Sequence, residues 1–399
     1  MKTSRRSLIR VGFGFVPIAG AGPLAAQQGK HLPPKLELLE FEPKSMLVVP
    51  EHPVARAKFP VIDAHTHVGD VFGRQATAAS TPTPESARFL RQIVGWMDEL
   101  NMQTLVNLTG GSGNALKRNI SWLEGQFPGR FRNCVQPDYS RFKEPGYPKW
   151  QAEDLARAKE AGAVGLKILK NLGLGLRENI DRGPLVKVDD TRFDPMWEAA
   201  GRLHLPVFIH VSDPDAFFTP IDRFNERWEE LANHPDWSFY GKDYPGKPEI
   251  LAARNRVIAR HPKTTFVGLH VANHPENLDE VSSWLDRYPN LQCEIAARIG
   301  ELGRQPRRSA QFFQKYQDRI LFGTDASPNG KEVPQQDLTR AMYRTYFRFL
   351  ETMDEYFDYA PSPTPPQGRW RISGIGLPDE ILRKVYHNNA AKLLGMQLL

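Results

Sequence analysis

Only two of the 399 residues are cysteines, Cys134 and Cys293. That excludes a disulfide-stapled scaffold and a thiolate metal cluster. The two sit in strand-like runs far apart in the chain, so they read as small core residues and not as a bridge. Also missing is an apolar run long enough to cross a membrane: the stretch from Val11 to Ile18 is short and interrupted by glycine and proline. No internal repeat is present. No glycine-rich phosphate loop follows the first strand-like run, as a nucleotide-binding open sheet requires. Net charge is scarce as well. Four of the 52 basic side chains, Lys2, Arg5, Arg6 and Arg10, lie in the first 26 residues without an acidic neighbour, leaving 48 against 46 acidic groups, a net of +2. Together with the lack of a recognisable module, this argues against a nucleic-acid partner.

What is present at the start has the layout of a secretory signal. "MKTSRRSLIR" is basic, an apolar stretch follows, and small residues end in Ala25 and Ala26. We expect a signal peptide over residues 1–26 and a Pro-rich lead-in over 27–59. The "SRRSLIR" start resembles a twin-arginine signal, which implies the twin-arginine export machinery as a partner and a periplasmic or extracellular location. A disordered basic tail is the plainer alternative, though it leaves the apolar run unexplained.

From residue 60 to 399, strand-like runs alternate with helical patterns. Eight runs can be counted: 60–67, 103–110, 131–138, 163–169, 206–212, 264–272, 290–296 and 319–325. The alternation predicts a (β/α)8 barrel, an α/β TIM barrel. Helix candidates include "TPESARFLRQIVGWMDEL", with Pro84 in the first turn, "DPMWEAAGRL" from Asp194, and "QQDLTRAMYRTYFRFLETMDEYF". Residues 170–190, 212–247 and 326–375 exceed a minimal barrel. They follow strands four, five and eight at the end where barrels build their sites, and so read as substrate or lid loops.

"VIDAHTHVG" (61–69) places His65 and His67 two apart on a strand, hence on one face, with Asp63 in the same row. Alone, such a pair reads more readily as two surface histidines than as metal ligands. The other runs change the weighing: His210 ends the fifth, His270 the sixth and Asp325 the eighth. A barrel brings these ends to one mouth, and imidazoles with a carboxylate suit a borderline divalent ion such as Zn2+. Lys167 differs in parity from Leu166 and Ile168, and Glu294 from Cys293, so both can face the mouth. For Glu294 a buried ion pair with Arg298 or Arg304 is the competing reading. Those arginines of "ARIGELGRQPRR" suit bidentate capture of a carboxylate, or form a solvated loop. Asp63 either orients a histidine or satisfies backbone groups. His204, His234, His261, His274 and His387 read as surface or packing residues.

The order of "DAHTH", "IH", "LH" and "FGTD", closed by "HNNAAKLLG", resembles the amidohydrolase superfamily. The likeness is to its amidohydrolase-related branch, which includes aminocarboxymuconate semialdehyde decarboxylase. It spans about Val61 to Leu394. The resemblance implies that His65, His67, His210 and Asp325 hold one divalent metal ion, zinc by preference. It makes Asp325 and His270 catalytic, with a second metal if Lys167 is carboxylated. Lys167 can otherwise meet a substrate carboxylate, alongside Glu294, Arg298 and Arg304. The implied activity is metal-dependent hydrolysis of an amide, ester or lactone of a small molecule. The alternatives are non-oxidative decarboxylation of an aromatic or unsaturated acid and a non-catalytic exported metal-binding protein. The aromatic-rich helix around Tyr343 and Tyr346 packs either on its own barrel or on a second copy in a homodimer.

Overall fold

Each of the eight runs supplies one strand of a single parallel sheet, ordered as in the sequence: β1 (Val61–Thr66), β2 (Met102–Asn107), β3 (Phe131–Val135), β4 (Gly165–Ile168), β5 (Val207–Ile209), β6 (Phe266–Gly268), β7 (Leu291–Glu294) and β8 (Ile320–Leu321). The sheet closes on itself. Ala64 N donates to Phe322 O at 3.0 Å, Asp325 N to His65 O at 2.8 Å and His67 N to Ala326 O at 2.7 Å. The fold is therefore a (β/α)8 TIM barrel, with insertions after β4, β5 and β8. This computed structural model describes residues 35–398 apart from 38–39, 42, 74–80, 242, 329–332 and 363. The expected signal peptide and its cleavage site lie outside the described residues.

The chain divides into two units, residues 1–46 and 47–399. The described residues of the first are solvent-exposed. In the second, the end of the lead-in joins the barrel: Ala57 and Phe59 are buried, and His52 is tied to Asp354 through its N–H at 2.7 Å.

Local chemistry accounts for the elements. The helix Pro84–Leu100 starts where Thr83 accepts from Ser86 N at 3.1 Å and Pro84 fills the first turn. It ends at Asn101, whose φ of 65° closes it in the left-handed region. Leu90, Ile93, Met97 and Leu100 recur at helical spacing and are buried. Inside the barrel, Ile62, Ala64, Val106, Cys134, Phe208, Val267 and Leu321 pack together, closed below by Ala390 and Ala391. Cys293 belongs to the outer layer, and both cysteines are free and buried. No described helix is long and apolar enough to cross a membrane.

Most strands are shorter than the runs that predict them, and three boundaries bear on the site. The sixth run does not continue as a strand to 272: β6 stops at Gly268 and a left-handed turn follows, with φ between 52° and 60° from His270 to Asn273. β8 keeps two residues: Phe322 to Asp325 lie beyond the strand, and Asp325 itself turns into the left-handed region with φ 63°. The helix expected over 335–357 is Arg340–Glu351, since Thr339 caps it at Met342 N and the preceding Gln336 is held elsewhere. This helix packs on its own barrel: Met342, Tyr343, Tyr346, Phe347, Phe349 and Leu350 are buried in it.

Candidate metal centre

The ends of β1, β4, β6 and β8 meet at the top of the barrel. His65 Nε2 lies 2.9 Å and His67 Nε2 2.8 Å from the same carboxylate oxygen, Asp325 Oδ1. His65, His270 and Asp325 bring one ligand atom each within 4.8 Å of one another. The His270 ring centroid is 5.0 Å from that of His65 and 4.4 Å from that of His210. Lys167, fully buried, reaches to 3.1 Å from His65 Nε2.

The rings of His65, His270 and His210 are fixed from behind. Glu294 Oε1 lies 3.2 Å from His65 Nδ1 and accepts from His270 N at 2.6 Å, while its second oxygen accepts from Ala296 N. Gly323 is needed beside it, since a Cβ there would stand 2.6 Å from Glu294 Oε2 and 3.2 Å from His65 Cβ. His270 Nδ1 is 2.8 Å from Ala296 O. A carbonyl only accepts, so Nδ1 carries the proton and Nε2 presents a lone pair. That Nε2 is buried without a partner. His210 turns Nε2 towards Asp213 Oδ1 at 3.3 Å, and Lys170 holds the other Asp213 oxygen at 2.6 Å.

Backbone strain collects here. Among the described residues ten non-glycine positions have positive φ, and six of them, His270 to Asn273, Ala297 and Asp325, follow β6, β7 and β8. Each costs about 1–2 kcal/mol outside glycine, and such strain persists where surrounding bonds over-determine it. Those bonds are present: buried Arg254 donates to Ala272 O, Val211 N to Asn273 Oδ1 at 3.3 Å, and Ala297 N to Tyr346 Oη at 2.8 Å.

Electrostatically the cluster suits a cation. Burial alone raises a carboxyl, yet His65 and His67 hold Asp325 well below the usual carboxylate range. Burial lowers His210 to about 4 and pushes His270 well down, so both imidazoles are neutral donors. Burial and Lys167 disfavour a charged His65, but Asp325 and Glu294 outweigh them and its net shift is upward. Lys167 is lowered by burial to about 8. The neutral imidazoles of His210 and His270, the Asp325 carboxylate and an orphaned buried lone pair fit a divalent ion.

Asp63 does not touch a histidine ring. It accepts from His65 N at 3.1 Å, from Thr324 Oγ1 at 2.5 Å and from Tyr343 Oη at 2.9 Å, and burial raises it to about 7. Glu294 forms no ion pair with either arginine. Arg304 is paired with Glu226 at 2.8 and 3.0 Å and stacked on Trp370, and Arg298 donates to Ala297 O at 2.7 Å. Gln336, which donates to Asp325 Oδ2, and the Asp213–Lys170 pair were not singled out in the sequence. Neither stands at a patterned spacing. Of the histidines read as packing residues, His261 meets Asp194 at 3.0 Å, His387 meets Gln103 at 2.7 Å and His234 stacks on Trp237. His274 lies with Asp215 and Glu276 in a second group of ligand-type atoms within 4.8 Å.

An eight-stranded barrel with imidazoles and a carboxylate gathered at the C-terminal mouth defines the metal-dependent TIM-barrel enzymes as a class. Within that class, the amidohydrolase family model matches residues 62–396, and the chain belongs to that family, whose members typically bind metal. No curated protein matches it. Solved structures with a similar fold include 2,6-dihydroxybenzoate decarboxylase bound to 2,6-dihydroxybenzoate, at 15% identity over 86% of this chain and 100% of that one, TM-score 0.49. Another is dihydroorotase from Campylobacter jejuni, at 12% identity over 85% and 84%, TM-score 0.49. A third is an amidohydrolase from Burkholderia multivorans with bound zinc, at 12% identity over 85% and 100%, TM-score 0.44.

Proposed function

We propose that this chain is a metal-dependent hydrolase cleaving an amide, ester or lactone of a small molecule. The observation that carries the reading is the convergence of His65 Nε2 and His67 Nε2 on one oxygen of Asp325, beside the unpartnered Nε2 of His270. His65, His67 and Asp325, with His210 or His270, would hold one divalent ion, zinc by donor type. Such an ion, when bound, lowers the pKa of a water to about 7 and polarises a carbonyl oxygen. Asp325 is the residue placed to take a proton and return it to the leaving group, with Gln336 fixing its other oxygen. His270 is neutral with its proton on Nδ1, so it offers a lone pair and no positive charge. Stabilising negative charge on the substrate falls instead to Lys167 Nζ.

The same buried ammonium also suits a carboxylate substrate, which keeps decarboxylation as a second reading. The test is metal content per chain of the purified protein, with Lys167→Ala alongside, followed by turnover of esters, lactones and amides and by CO2 release from aromatic acids. About one equivalent of metal, unchanged in Lys167→Ala, and ester or lactone turnover lowered about 10^2- to 10^4-fold by Asp325→Asn support the proposal. A metal-free protein, or CO2 release without hydrolysis, overturns it. Residues 1–26 are proposed to direct twin-arginine export; Arg5→Lys with Arg6→Lys should leave the protein in the cytoplasmic fraction.

A further inference from the structure

The buried charges beside β7 do not pair evenly. Arg227 donates to Glu230 at 2.7 Å and also to Glu301, so one guanidinium occupies both glutamates. Arg298 is left over. It is 6% exposed, its hydrogen bond goes from Nη1 to the carbonyl of its own neighbour Ala297, and its Nε is buried without a partner. It follows the Ala296 carbonyl that fixes His270 by two residues, and its charge is felt by both His270 and Glu230. Around it, two more N–H donors, Arg227 Nε and Trp370 Nε1, are buried without partners, against one acceptor, Glu301 Oε2. Trp370 Nε1 approaches the position a Cβ on Gly300 would take to 3.5 Å, so the donors belong to the wall made by the loops after β5, β7 and β8.

A buried guanidinium is stable when its charge and fork of donors are matched. Arg298 has an open edge at Nε, and Glu301 Oε2, the unpartnered acceptor in the same loop, is outnumbered by the three unpartnered donors around it. Arg304 and Lys170, the neighbouring cations, are matched by Glu226 and Asp213. A surplus of donors beside a neutral imidazole calls for an acceptor brought from outside, and a planar carboxylate fits the guanidinium edge. We propose that Arg298 is the anchor of a carboxylate-binding subsite, so that the substrate is a small carboxylic acid whose reacting bond lies over the His65, His67 and Asp325 cluster. The inference rests on the hydrolase reading for the reaction but not for the binding.

Benzoate, its neutral isostere benzamide, acetate, glutarate and phosphate are the probes, titrated calorimetrically into the metal-loaded full-length chain and its Arg298→Gln and Arg298→Lys variants. At least one carboxylate should bind the parent at least about tenfold more tightly than benzamide. Arg298→Gln should weaken it by about 10- to 100-fold, the loss expected for charge-assisted bonds, with benzamide binding and metal content unchanged. Arg298→Lys should recover part of the loss. Unchanged carboxylate affinity in Arg298→Gln, no preference over benzamide, or an Arg298-dependent response to phosphate alone overturns the subsite. Should Arg298→Gln lose its cooperative melting transition, Arg298→Lys decides, because a bidentate site must still lose affinity and an unmatched one must not. Turnover of neutral esters separates the two claims. Hydrolysis without Arg298-dependent binding removes the subsite alone, and Arg298-dependent binding without hydrolysis removes the reaction alone.

Discussion

Among the described residues, two groups of histidine and carboxylate atoms come within 4.8 Å of one another, and they differ in what already sits among them. At the mouth, His65, His67 and His270 surround Asp325 with Lys167 at one side, and the Nε2 of His270 is left without a partner. In the outer group, Asp215, His274 and Glu276 enclose the ammonium of Lys247, 2.6 Å from Asp215 and 3.4 Å from Glu276. The first keeps one buried lone pair that nothing fills. In the second an ammonium already sits against both carboxylates, whereas Lys167 in the first lies beside a ring nitrogen. Ligand-type spacing therefore says little until the protons and charges in the space are accounted for.

The largest contrast should come from deleting one imidazole in each. His65→Ala should lose metal and with it activity, whereas His274→Ala should keep both, read by elemental analysis and turnover. Equal metal content in the two variants would mean that the mouth is not the metal centre.

Acid should separate the groups next. In the metal-free protein, burial lowers His210 from 6.5 to about 4, so between those values the unfolded chain binds the extra proton. Stability from this group is complete above pH 6.5 and is lost as pH falls towards 4. His274 is shifted in the same direction by burial and Lys247, but Asp215, Glu276 and Glu280 oppose the shift. Melting temperatures of the chelator-treated protein should thus fall on acidification. His210→Asn should flatten that fall more than His274→Asn, and the reverse order would contradict the assignment of the more desolvated ring.

A smaller effect is expected from Gly323→Ala. The added methyl would enter the space of Glu294 Oε2, displacing a carboxylate that steadies His65 and the His270 backbone without itself meeting substrate. Metal affinity should drop about 10- to 100-fold, the usual cost of disturbing a ligand's supporting bond. Unaltered affinity would show that the rings are held by packing alone.

Much of the mouth was legible in the sequence because barrel geometry converts position into proximity. The eight runs became eight strands, and His65, His67, His270 and Asp325 met because each ends or follows one. What could not be read was conformation without a local signature. Nothing in "LHVAN" announces a left-handed turn, since no glycine marks it and valine opposes it; it exists because Glu294, Arg254 and Val211 hold it from other elements. Gln336 was invisible for a related reason: a polar residue in a long loop acquires its partner only when the loop folds back over Asp325. Glu294 lay between, as parity pointed it inward but left its partner open, and that partner proved to be the histidine pair.

Lys247→Met gives the finest test of the comparison, because it removes the outer group's built-in cation while keeping the bulk of the chain. Lys247 is 4% exposed in its side chain, whereas Asp215 is 52% exposed. Solvent therefore screens one partner, and the loss should be roughly 2 kcal/mol, between that of an exposed and a buried pair. With the ammonium gone, Asp215, His274 and Glu276 present two carboxylates and an imidazole to an open space. Added zinc should then raise the melting temperature of Lys247→Met by occupying it, while the metal-loaded parent gains nothing beyond its first equivalent. If zinc stabilises both proteins alike, the ammonium is not what distinguishes the two groups, and the geometry of the donors must carry the difference instead.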